Sequence, residues 1–153
     1  MAKTKTKTKT KIEEIFDKTA QLNIRAENKL AEIEYWREFA SKTTIVLNGI
    51  SGGSNKKRNS SKVEDSVCKI MDIEESLKED MNKIIELKEQ AMRIIEKIDA
   101  PVYRDILINK YIYGKRWDEI AASIGYCYVH TLRLHKKALA KLYETEGGGK
   151  NGQ

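Results

Sequence analysis

The sequence predicts an all-α fold: a long antiparallel helical hairpin, coiled-coil-like, followed by a C-terminal unit of three short helices. Three observations predict it. Apolar residues recur at steps of three and four along two long stretches, the period of amphipathic helices. Between those stretches, residues 48–62 read NGISGGSNKKRNSSK, a break in composition rich in Gly, Ser, Asn and base. The chain holds one proline, Pro101, and few aromatics, so little is present to build a sheet sandwich.

Taken in order, residues 1–11 read MAKTKTKTKTK, with five lysines and no acid. So little apolar surface predicts a disordered basic arm. From residue 12 to about 47, Ile12, Ile15, Thr19, Leu22, Ala26, Ile33, Trp36 and Ala40 mark one helix face, with Leu30 preferred over Lys29. Residues 48–62 are expected to form a flexible loop. A second helix follows, capped by Ser60 or Ser61, with Glu64 at the capping-box distance from Ser61. Its seam runs Val63, Val67, Ile70, Glu74, Leu77, Met81, Ile84, Lys88, Ala91, Ile95, Ile98. A single helix cannot bury such a stripe alone; an antiparallel hairpin over 12–100 buries it, and a dimeric coiled coil is the competing solution. Pro101 ends the helix, because the residue before proline avoids helical dihedrals and proline has no N–H. The expected domain boundary therefore lies there, with a separable unit at 101–145 and a flexible tail at 146–153.

The 153-residue chain carries net +6. Positive charge gathers in the first eleven residues, in 55–62 and after Pro101, while residues 63–100 are net acidic. The basic segments suit phosphate; the acidic helix suits a protein partner or a second copy. Two cysteines, Cys68 and Cys127, are too few for a disulfide framework. The basic N-terminus has no apolar region behind it, so no secretory signal is expected. No stretch reaches the apolar length of a membrane span, and a cytoplasmic protein is the expectation.

Residues 102–142 carry the informative pattern. A first helix is expected from Val102 to Ile112, a turn at Gly114, a second helix from Trp117 to Ile124, and a third from just after Cys127 to about Tyr143. Ala121 is small enough for two helices to cross closely. Gly125, four residues on, can take the positive φ of a tight turn. Thr131 and Leu134 then pack the third helix back on Ile120 and Ile124. This is the geometry of a helix-turn-helix, and it leaves Tyr128, Val129, Arg133, Lys136 and Lys137 free to enter a major groove. The Arg133 fork matches guanine. Lys115, Arg116, Lys136, Lys137 and Lys141 suit phosphates. A helical hairpin with a solvated basic face is the plainer alternative.

Tyr111 to Leu142 also resembles region 4 of bacterial sigma factors, in the pattern Y-x-x-G-x-x-W-x-E-I-A-x-x-I-G-Y-x-x-x-x-x-x-x-L-x-x-K-A-L-x-K-L. The chain as a whole is similar in organisation to the sigma-like late-gene regulators of Gram-positive phages, the ArpU/RinA type. The resemblance implies that the third helix reads DNA through Tyr128, Val129 and Arg133, in the cytoplasm of a bacterial host. Arg116 stands where a serine or threonine is common, and Cys127 where the cap is usually serine or threonine. No segment matches the part of a sigma factor that binds the −10 element.

Other chemistry finds no foothold. Cys127 and His130 have workable zinc spacing, but His135 turns away on a helix and no fourth ligand is near. Glu74, Glu75, Glu79 and Asp80 sit on a charged helix face. GISGG lacks the Lys-Ser ending of a phosphate loop. No enzyme activity, cofactor or metal is expected. The expected partners are double-stranded DNA, RNA polymerase, and a second copy of the chain through helices 12–47 and 63–98, with no membrane. A DNA-recognition subunit of a phage packaging machine and a helical scaffold without a DNA role are the alternatives.

Overall fold

The computed structural model of the chain describes residues 2–49 and 54–147. The fold is all-helical, with no strand among the described residues. Helix α1 spans Ala2–Gly49, α2 Ser54–Ile95 and α3 Pro101–Leu107; a π-helical turn over Ile108–Ile112 follows, then α4 Trp117–Ile124 and α5 Tyr128–Gly147.

Both long helices outrun the sequence expectation. Residues 2–11, expected as a disordered arm, belong to α1. Extending an existing helix adds one bond per residue fixed, so the helix anchored at Ile12 grows back through the lysines. Residues 54–62, expected as loop, form the start of α2, which therefore begins before Ser60 and Ser61. Of the expected loop, residues 50–53 lie outside the described residues, as do residues 148–153 of the expected tail.

The chain divides into two compact units, Leu22–Lys83 and Met1–Gln21 with Ile84–Gln153. In the first, α1 and α2 run antiparallel: Arg25 and Lys29 meet Asp80, whereas Arg37, further along α1, meets the earlier residue Glu74. Ala26 and Ile33 are buried on the α1 side.

The seam on the α2 side differs from the expected one. Ile70 and Leu77 face inward as expected, but Ser66 and Asp80 are buried while Val67 and Met81 are exposed. Ser66 and Asp80 thus take the inward places expected of Val67 and Met81, one residue earlier in each case. On α1 the matching correction is that Lys29 turns inward and Leu30 is exposed. One cause explains both: Lys29 Nζ lies 2.5 Å from Asp80 Oδ2 and donates to Ser76 Oγ at 2.6 Å, with Arg25 Nε at 3.1 Å from the same carboxylate. A buried charge is tolerated when paired and hydrogen-bonded. Trp36, expected in the hairpin core, is half-buried, with Lys69 Nζ 4.0 Å from its ring centre.

The second unit holds the main apolar core. Ile12, Ile15 and Phe16 of α1 join Ala91, Ile95 and Ile98, and these pack with Leu107, Ile112, Ala138 and Leu142. This core crosses the boundary expected at Pro101. Pro101 does start a new helix, at its first position, where a missing N–H costs nothing. The chain direction changes there while the core continues, because the short C-terminal helices alone expose too much apolar surface.

Candidate nucleic-acid interface

The first two C-terminal helices match the sequence expectation in extent, the first closing as a π turn, while the third runs to Gly147, past the expected end near Tyr143 and into the first two residues of the expected tail. Tyr113 N–H reaches the Ile108 carbonyl, and Lys115 N–H the Asn109 carbonyl. Gly114, at φ +65°, makes the turn. Helix α4 then begins with the Arg116 backbone N–H donating to the Glu119 carboxylate at 2.9 Å, half of a capping box.

Gly125 takes φ +74° and its N–H returns to the Ala121 carbonyl, the left-handed close of a helix that glycine makes at least cost. Tyr126 N–H reaches the same carbonyl. Ala121, only 6% exposed, sits in the tight crossing. Helix α5 starts at Tyr128. Cys127 gives it no side-chain cap; instead the Cys127 carbonyl accepts both the N–H and the hydroxyl of Thr131 at 3.0 Å. Thr131, Ala138 and Leu142 are fully buried with Ile120 opposite, so one face of α5 is committed to the core.

The other face carries the expected contact residues. Val129, Arg133, Lys136 and Lys137 are all exposed on it, Val129 at 56%. Lys136, Lys137 and Arg133 form no ion pair among the described residues. Tyr128, half exposed, lies at the first turn, and Lys141 extends the basic edge about one turn beyond Lys137. Lys115 is exposed near the Tyr113 ring. Arg116 is exposed but already engaged: its guanidinium lies 2.7 Å from Asp118 Oδ2. It would meet a phosphate only by leaving that partner, and Asp118 and Glu119 beside it oppose an anion there.

Three further residues belong to this surface. Lys110 lies 4.7 Å from the Trp117 ring centre, held on the rim by a cation–π contact. Tyr126 and His130 meet edge-on at 4.9 Å beside the turn.

His135 faces the interior. Its Nε2 and the Tyr111 hydroxyl are hydrogen-bonded at 2.8 Å, and Trp117 lies edge-on at 4.6 Å. Tyr111 in turn stacks on Phe16 of α1, 3.9 Å apart. Burial, with Lys110 nearby, pushes the His135 pKa down to about 4. Burial and the carboxylates of Asp17 and Glu13 push Tyr111 up to about 12. The ring pair is therefore neutral at physiological pH. At the far end of α5, Tyr143 donates to Glu13 at 3.2 Å and Lys97 pairs with Glu146 at 2.7 Å. Both cysteines are exposed and unbridged.

No protein-family model, curated protein or solved structure matches the chain. Among the described residues, no helix is long and apolar enough to cross a membrane.

Proposed function

We propose that this chain binds double-stranded DNA sequence-specifically, with α5 in the major groove, and regulates transcription in the manner of the phage late-gene regulators that the chain resembles in organisation. The observation that carries the reading is the division of α5 into two faces: Thr131, Ala138 and Leu142 buried, Val129, Arg133, Lys136 and Lys137 exposed. A helix held by one face behind a tight glycine turn, with cations and one apolar side chain on the other, suits groove entry. The hairpin supplies the contact with RNA polymerase or a second copy; exposed Leu30, Val67, Met71 and Met81 support that role.

Selection of bound sequences from random DNA, followed by binding assays on single-substituted sites, tests the reading. Arg133 lies nearer the start of α5, where a recognition helix faces base edges, and Lys137 a turn later, where it leaves the groove. Arg133→Ala should cost about 1–3 kcal/mol on the preferred site and flatten discrimination at one base pair. Lys137→Ala should weaken all sequences alike and reduce the slope of log affinity against log salt by about one unit. Uniform loss for Arg133→Ala with altered preference for Lys137→Ala would overturn the register. No binding at low salt would overturn DNA recognition itself.

A further inference from the structure

We infer that Val129 reads the 5-methyl group of a thymine, one or two base pairs from the guanine met by Arg133. The inference rests on the reading of α5 as a DNA-recognition helix and names the base that this helix selects.

Val129 is the second residue of α5 and an apolar side chain exposed among cations, at 56%. A β-branched residue near a helix start gains little locally: its helix propensity is low and more than half of this one lies open to solvent. Tyr128 and Tyr126, also exposed, carry hydroxyls that water satisfies; Val129 has only methyl groups to offer. In the major groove, the one apolar feature presented by the four bases is the thymine methyl, and small aliphatic side chains are what meet it.

The placement relative to Arg133 sets the register. Residues four apart share a helix face, so Val129 and Arg133 point the same way. They are separated by about 6 Å along the axis. That is under two base steps of about 3.4 Å, so the two side chains reach base pairs one or two apart. Arg133 has no ion-pair partner among the described residues that would hold it elsewhere. Gly125 and the Thr131 contacts fix the start of α5, so this pair is held at the tip of a rigid element.

Replacing dT by dU removes only the methyl group and leaves base pairing intact. On the site obtained by selection, the full-length protein should lose about fourfold in affinity when one particular dT, adjacent to or one removed from the guanine sensed by Arg133→Ala, becomes dU. That is the size expected from burying one methyl, about 0.8 kcal/mol. Val129→Ser, which replaces the aliphatic group by a hydroxyl, should bind the dT and dU sites nearly equally, and Val129→Ala, which keeps one methyl, should show a reduced preference; both are surface changes that leave the fold intact. If the wild type binds DNA specifically yet no single dT-to-dU change matters, Val129 reads no methyl, while the DNA-binding reading stands. If the loss persists undiminished in Val129→Ser, another side chain reads the methyl and the inference is wrong. If no DNA is bound at all, the inference falls together with the reading beneath it.

Discussion

His135 shows how one position on α5 can serve structure. It neighbours Lys136 in sequence, yet its ring lies against Tyr111 and Trp117. The unfolded chain's histidine titrates near 6.5, whereas the folded one is pushed down to about 4 by burial and Lys110. Between those values the unfolded state binds more protons, so stability rises with pH across the window. The contribution is complete above about pH 6.5 and is lost as pH falls toward 4. His135→Gln keeps a hydrogen-bonding partner for Tyr111 but does not titrate. Urea midpoints at about pH 7 and about pH 5 should differ less for this variant than for wild type; an unchanged difference would assign the acid sensitivity to other groups. Asp80 acts in a separate range. The Lys29 hydrogen bond, with Arg25 and Lys83 nearby, holds its pKa below the ordinary carboxylate value of 3.8 despite burial, so its stabilisation is present above that value and lost below it.

At the scale of elements, two features decide how helices meet. The first is the turn between α4 and α5. A Cβ at Gly125 would touch nothing within 4 Å, but the backbone φ there is +74°. Gly125→Ala should therefore cost about 1–2 kcal/mol from conformation alone, read as a lowered unfolding midpoint with unchanged denaturant slope. No loss would mean that the turn relaxes without penalty. The second is the polar layer of the hairpin, where Lys29, Ser76 and Asp80 replace apolar packing. Removing one member of a buried ion pair is far costlier than replacing both. Lys29→Met should destabilise the chain, by less than the ~3–5 kcal/mol of a fully buried pair, because Arg25 remains at Asp80. Lys29→Met with Asp80→Leu should recover that loss. Chemical denaturation of the three proteins checks the order; a double variant weaker than the single would show that the layer stabilises as well as specifies register.

Across the whole molecule, the consequential fact is that one core joins both chain ends of the hairpin to the C-terminal helices. Six of its ten buried residues, Ile12, Ile15, Phe16, Ala91, Ile95 and Ile98, come from outside residues 101–153. A fragment starting at Pro101 lacks these partners. It should show no cooperative thermal transition by circular dichroism, whereas the full chain should unfold sharply. A sigmoidal melt of the isolated fragment would restore the separable unit that the proline suggested. The Phe16 stack on Tyr111 and the Tyr111 bond to His135 link α1 to α5 through packed neighbours.

The sequence by itself determined the all-helical class, the short helices around Gly114 and Gly125, and the exposed set from Val129 to Lys141. These depend on local physics: backbone freedom at glycine, period along one helix, and the separation of apolar from charged faces. Only the tertiary structure decided the hairpin register. Leu30 outranks Lys29, and Val67 and Met81 outrank Ser66 and Asp80, on any scale of apolarity. The inward choice goes the other way because Lys29 and Asp80 lie on different helices and neutralise each other once they meet. The same limit applies to the domain boundary. Pro101 opens a helix, which is a property of one residue; whether it divides a core depends on Ile12, Ile15 and Phe16, more than half the chain away in sequence.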